Sequence, residues 1–281
     1  MIRRNNSGEV PANHAGASRI AAAFQAARDE GRAALMPYMM AGYPDREAGL
    51  AVARAYVDAG ADLIELGVPF SDPLADGPTI HEADTVALEK GATLRTALEV
   101  CEAVADELPV VLMVYVNMVL AHGGAAQFAE LARAAGATGV IVPDLPLGED
   151  EEIREVFAAA GLAMVPLVAP TTSPERRKAI CDVATGFVYV VSTVGTTGER
   201  GELPAALADL VAATKADAGE TPVAVGFGIG TPAQAAEVGR VADGVIIGSR
   251  LVRAAGEGST PAGSADAVAE FLAETRVALA G

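Results

Sequence analysis

Tryptophan is absent from this chain, and aromatic residues make up only 4% of it. A core built without them has to be filled by smaller apolar side chains, and hydrophobic residues supply 51% of the sequence. Histidine is also scarce. His14, His81 and His122 stand at no ligand spacing, which argues against a zinc site. Cys101 and Cys181 lie far apart in helix-like segments, so we expect two reduced thiols in a cytoplasmic protein, not a disulfide. Basic residues are outnumbered, 20 against 37 acidic ones. The net charge of −17 speaks against nucleic acid or an anionic membrane surface as a partner. No apolar run reaches membrane-spanning length without a charge, Pro or Gly. The opening stretch carries two arginines with no apolar segment behind them. Residues 1–17 therefore read as a flexible tail and not as a secretory signal.

What the chain does have is alternation. Apolar runs recur at 34–41, 61–69, 109–116, 139–143, 163–169, 187–191, 223–227 and 244–248. Most are short, β-branched and bounded by Gly, Pro, Asp or Ser, as strands buried on both faces are. Amphipathic stretches lie between them. One spans 46–59 behind the cap Asp45. Another spans 78–107 and divides near Gly91, with Thr93 as a second cap. Others follow at 125–135, 149–160, 174–183 behind Ser173, 203–216, 232–238 behind Thr231 and 265–280 behind Ser264. A further stretch, 18–32, precedes the first run. Eight strand–helix repeats over this length predict an α/β fold: a single (β/α)8 TIM barrel over residues 18–281 with an extra N-terminal helix. The rival is an open doubly wound sheet. The first run, however, is followed by Gly42-Tyr43-Pro44-Asp45 and not by a dinucleotide-binding glycine fingerprint.

The most informative stretch is Glu65-Leu-Gly-Val-Pro-Phe-Ser-Asp-Pro-Leu-Ala-Asp-Gly-Pro-Thr79. Glu65 sits inside the second apolar run, and Asp76 sits in the Pro- and Gly-rich loop after it. On the pattern alone two readings stand. The two acids are an acid–base pair, or they are a salt-bridged strand residue and an ordinary turn aspartate. A barrel favours the first for Glu65, because active sites form at the C-terminal strand ends. The same logic directs Tyr115 and Asn117 after strand three, Asp144 after strand four and Tyr189 on strand six toward one mouth. Asn117 and Asp144 stay open between function and loop anchoring. Three glycine clusters, Gly195–Gly198, Gly226–Gly230 and Gly248-Ser249, follow the last three strands. Exposed backbone N–H groups at a helix N-terminus there predict a phosphate site; tight turns are the alternative for any one cluster. Lys90, Lys178 and Lys215 all fall in helical stretches, which disfavours imine chemistry at a strand end.

The run from Glu65 to Thr79 resembles the signature of tryptophan synthase alpha subunits. The resemblance extends from about Ser18 to the C-terminus. It passes through Pro37-Tyr38, Gly60-Ala-Asp62, Tyr115-Val-Asn117, Val142–Pro146, Tyr189–Ser192, Thr197-Gly198, Gly226-Phe-Gly228 and Gly248-Ser249. It implies a (β/α)8 barrel that splits indole-3-glycerol phosphate into indole and glyceraldehyde 3-phosphate in tryptophan biosynthesis. No metal or organic cofactor is implied, and the partner is a beta subunit in an α2β2 complex. Carried over by position, Glu65 resembles the catalytic acid–base and Asp76 the residue that meets the indole N–H. Tyr38, Met113, Ile141, Tyr189 and Thr197 resemble substrate contacts. Gly198, Gly228, Gly248 and Ser249 resemble phosphate-binding positions. The chain departs from the pattern at Thr193-Val194-Gly195-Thr196, in the family's mobile lid, and at Arg250. The rival function is a non-catalytic barrel that only activates a beta subunit. Two acids kept in one pocket speak against it.

Overall fold

The computed structural model describes residues 15–121, 123–191, 205–226 and 228–281. Its strands fall on the apolar runs: β1 (Ala34–Met40), β2 (Ile64–Gly67), β3 (Val110–Met113), β4 (Gly139–Ile141), β5 (Ala163–Met164), β6 (Leu167–Val168), β7 (Val188–Val191), β8 (Val223–Gly226) and β9 (Gly244–Ile247). They run parallel in the order β5-β4-β3-β2-β1-β9-β8-β7-β6. The two ends of that order, β5 and β6, are halves of one stave parted at Val165-Pro166. Proline has no N–H to give to a ladder. The first half pairs with β4 and the second with β7. Across the break, Val165 N–H donates to the Val140 carbonyl and Tyr189 N–H to the Pro166 carbonyl, both at 3.0 Å. The sheet thus closes as a barrel of eight staves.

The helices are α1 (Ala15–Asp29), α2 (Arg46–Asp58), α3 (Pro78–Glu89), α4 (Leu94–Val104), α5 (Val116–Leu120), α6 (Gly124–Ala134), α7 (Glu151–Ala159), α8 (Pro174–Val183), α9 (Ala205–Ala218), α10 (Pro232–Gly239), α11 (Ser249–Glu257) and α12 (Pro261–Ala280). Asp45, Ser173 and Thr231 cap α2, α8 and α10 as expected, each accepting a backbone N–H three residues on. Four details differ from the expectation. Helix α1 begins at Ala15, three residues earlier. Helices α5 and α11 stand outside the expected amphipathic stretches: α5 has only five residues, and α11 follows β9 after the single residue Gly248. Helix α12 is capped by Thr260, which accepts the Gly263 N–H at 3.1 Å, and has Pro261 in its first turn. Ser264 lies inside that helix, where its buried hydroxyl donates to the Ala255 carbonyl at 2.7 Å.

Alternate strand residues face inward and outward. Outward residues such as Leu35, Ile64, Leu66 and Leu112 meet the helices, and inward ones fill the barrel. Helix α1 stops the N-terminal end by placing Ile20, Phe24 and Ala27 against Met36, Leu63 and Phe187. The rings of Phe24 and Phe187 stand 5.7 Å apart. Each large side chain buried this way contributes roughly 1.5–3 kcal/mol. Helix α12 packs on α2 and completes the outer ring. Cys101 and Cys181 are free thiols buried in α4 and α8, and burial pushes them up to about 12 and about 11. Among the described residues no helix is long and apolar enough to cross a membrane. With its bottom plugged, the barrel opens at its C-terminal face.

Candidate active site

Inward parity decides what reaches that face. Along β2 the inward positions are Leu63, Glu65 and Gly67. Leu63 belongs to the core layer, so Glu65 stands one step above it. Its register partners are Tyr38 on β1 and Val111 on β3. Glu65 is 2% exposed, and its Oε2 has no hydrogen-bond partner. Burial, then the nearby Asp76 charge, pushes its carboxyl up to about 8. A carboxyl in this setting carries its proton at neutral pH.

Asp76 occupies the loop between β2 and α3, only partly exposed. Its N–H donates to the Pro73 carbonyl at 3.2 Å. Its Oδ2 accepts the Tyr115 hydroxyl at 2.9 Å, and that hydroxyl accepts the Ala75 N–H at 3.0 Å. Tyr115 is thus the bracket that aims Asp76. Burial raises the Asp76 carboxyl, while Tyr115 and the nearby His81 pull it down. The two acids therefore differ in kind. One is dry and unpartnered; the other has an O–H donor that favours its anion.

Tyr38 and Tyr189 flank the pair. Burial raises both hydroxyls well above the usual phenol range. The charges of Asp76, Asp84 and Glu65 add to this at Tyr38, and those of Glu65 and Asp76 at Tyr189. Both rings occupy space left by a glycine on the neighbouring strand. A Cβ at Gly67 would overlap the Tyr38 hydroxyl, and one at Gly226 the Tyr189 hydroxyl. Gly226, expected in the phosphate loop, instead makes room for a tyrosine. Met113, at the end of β3, is half-buried and touches both the core and the Tyr38 cluster. Its register partner Ile141 is fully buried in the core.

On the other side of Tyr38, after β9, Gly248 begins α11 with no side-chain cap, and Ser249 is its first residue. The first N–H groups of a helix have no partner inside it. Gly228 is exposed, and a Cβ there would meet nothing within 4 Å. Thr197, Gly198 and the lid segment 193–196 lie outside the described residues. Arg250 does not reach this rim: its guanidinium carbon lies 4.9 Å over the Phe271 ring on α12. Asp144 proves to be an anchor, accepting the Val116 N–H at 2.9 Å and so fixing α5. Asn117 is exposed on α5 rather than at a strand end. Among the described residues no group of three or more His, Cys, Asp or Glu could hold a metal ion.

Fold and site together define a (β/α)8 barrel with an acid pair at its C-terminal mouth and, beyond the intervening β1, a helix N-terminus on the same rim. The family profile described as tryptophan synthase alpha chain matches residues 24–279. The tryptophan synthase alpha chain of Chloroflexus aggregans is 47% identical over 238 residues, covering 84% of this chain and 88% of the relative. That of Synechocystis sp. is 43% identical over 263 residues, covering 92% and 98%. The structure of Mycobacterium tuberculosis tryptophan synthase in space group F222 superposes with a TM-score of 0.85 at 39% identity, covering 93% of this chain and 98% of that one. The chain belongs to the tryptophan synthase alpha chain family.

Proposed function

We propose that the protein cleaves indole-3-glycerol phosphate to indole and glyceraldehyde 3-phosphate, as a carbon–carbon lyase of tryptophan biosynthesis. The observation that carries this reading is a buried Glu65, its Oε2 without a hydrogen-bond partner and its carboxyl pushed up to about 8, near an Asp76 that has its own O–H donor. Indole leaves poorly as a carbanion, so its C3 must take a proton before the carbon–carbon bond breaks. Glu65 supplies that proton. Asp76, as the anion, accepts the ring N–H while positive charge develops on the nitrogen. The bond from indole C3 to the glycerol chain then breaks. Its electron pair returns to the ring, and the adjacent glycerol hydroxyl becomes the aldehyde as Glu65, now a carboxylate, takes back a proton. Tyr38, Met113, Ile141 and Tyr189 wall the indole. Gly228, Gly248 and Ser249 meet the phosphate through backbone N–H groups; Gly198 as a further phosphate position and Thr197 as a substrate contact are supported by the family resemblance alone.

The partner in this reading is a tryptophan synthase beta subunit, joined in an α2β2 complex in the cytoplasm. Leu74, 91% exposed and two residues before Asp76, supports a contact there that couples assembly to the acid pair. The test is indole release from indole-3-glycerol phosphate by the purified chain, alone and with a beta subunit. Slow release that rises on adding the partner is expected. No release in either condition overturns the lyase and favours a barrel that only activates its partner. If substitutions at Pro73 and Leu74 leave assembly and activation intact, the contact is elsewhere.

A further inference from the structure

A further carboxyl near the pair, buried as Glu65 is, has no place in that chemistry. Asp84 lies on the stripe of α3 made by Ile80, Ala83 and Ala87. It is 2% exposed. Its Oδ1 accepts the Phe70 N–H at 3.0 Å, and its Oδ2 is buried with no partner. A polar group among Ile and Ala side chains is destabilising unless it is bonded, so its one bond is informative. Phe70 opens the loop that carries Asp76. Its ring stacks on Tyr115, with centroids 5.0 Å apart and planes at 24°. Tyr115 in turn holds Asp76 and the Ala75 N–H. A continuous line of contacts therefore joins Asp84 to the proposed catalytic anion.

We propose that Asp84 is a positioning residue, which fixes Phe70 and, through the Phe70–Tyr115 stack, sets where the Asp76 carboxylate stands. It touches no reacting atom. The proposal rests on the role given to Asp76 above. An asparagine there supplies the same acceptor oxygen to the Phe70 N–H and cannot ionise, and burial, then the charge of Asp76, already push the Asp84 carboxyl up to about 7.

The experiment measures kcat and KM for indole release in Asp84→Ala, Asp84→Asn, Tyr115→Phe and the Asp84→Ala/Tyr115→Phe double variant. A small misplacement of a reacting group lowers turnover by up to about 100-fold, so Asp84→Ala should lose about 10- to 100-fold in kcat, with KM within about threefold. Asp84→Asn should restore kcat to within about threefold of wild type, because the acceptor for the Phe70 N–H is kept. The double variant should be no more than about threefold worse than Tyr115→Phe, because both act on one carboxylate. Failure of asparagine to rescue, or losses that multiply in the double variant, overturn the proposal. Should Asp84→Ala not fold, Phe70→Leu removes the stacked ring and keeps the Asp84 bond. It must then show the kcat loss, and a wild-type kcat overturns the proposal. Asp76→Asn separates the two levels. If it retains wild-type kcat, the role of Asp76 fails and this inference with it. If it is impaired while Asp84→Ala is not, only this inference fails.

Discussion

Replacing Glu65 by glutamine separates two consequences of one burial. In the folded chain Glu65 keeps its proton up to about pH 8, against 4.5 for the ordinary group. Between those values the unfolded chain binds fewer protons than the folded one, so stability falls as pH rises. At about 1.36 kcal/mol for each pH unit crossed, the wild-type protein loses about 5 kcal/mol across that window, about 3 kcal/mol of it by pH 7. Glutamine has no proton to lose. Glu65→Gln should therefore match wild type near pH 4.5 and exceed it in stability by about 3 kcal/mol at pH 7 and about 5 kcal/mol above pH 8. Turnover should move the other way, falling at least about 100-fold, the low end for a positioned acid–base group. Wild-type kcat/KM should fall as pH rises past about 8, when the acid form disappears. Denaturant unfolding across pH 4.5 to about 9, with turnover on the same samples, reads all three. A stability difference that stays flat with pH would mean that Glu65 titrates as an ordinary carboxyl. Turnover within about threefold of wild type would remove it from the mechanism.

Asp76→Asn should cut turnover while leaving the affinity for glycerol phosphate, read as an inhibition constant, nearly unchanged; a large loss of that affinity would reassign Asp76 to structure. Gly67→Ala puts a methyl group into the Tyr38 hydroxyl. Displacing that ring should cost about 1–3 kcal/mol in thermal unfolding and lower turnover as well, and an unchanged melting temperature would show that the ring has room to move. Arg32 holds Asp62 through both carboxylate oxygens at the bottom of the barrel. Arg32→Ala leaves that carboxylate with the Leu35 N–H alone, so it should cost about 3–5 kcal/mol while kcat of the folded enzyme is unaffected; a loss of kcat without a stability change would contradict this.

The barrel was legible because its strands are buried on both faces and so read as short β-branched runs between Gly and Pro. That same density hid the two extra helices. Val116–Leu120 is too short for a 3.6-residue periodicity to show, and Ser249–Glu257, with exposed Arg253 among buried Leu251, Val252, Ala254 and Ala255, starts one residue after β9 with no loop to set it apart. Ser264 resembles a cap because serine before an apolar stretch usually is one. Thr260-Pro261, four residues upstream, carries the stronger pairing of cap and first-turn proline. In the site, Glu65 stood out because a carboxylate inside an apolar run is rare. Asp84 did not, because an acid on an amphipathic helix ordinarily faces water. Only its place in the 80, 83, 84, 87 stripe pointed inward. Gly67 and Gly226 were unreadable for a different reason. A strand glycine signals close approach without saying what approaches, and here it is a tyrosine from the next strand.

Three carboxyls near one mouth pose a problem for an enzyme with a net charge of −17 whose proposed substrate carries a phosphate. Like charges this close cannot all ionise at low cost, so the hydrogen-bond donors decide which one does. Asp76 has the Tyr115 hydroxyl and the nearby His81. Asp84 has one backbone N–H on one oxygen, and Glu65 Oε2 has nothing. Burial accordingly pushes Glu65 up to about 8 and Asp84 up to about 7, while the Asp76 anion is the one that is solvated by protein. The donors thus do two things together. They separate an acid from an anion, as the proposed proton transfer requires, and they keep the pocket from presenting three full negative charges to the proposed phosphate substrate. The N-terminus of α11 then has less repulsion to offset. In the proposed reading the phosphate is then held by the neutral N–H groups of Gly228, Gly248 and Ser249.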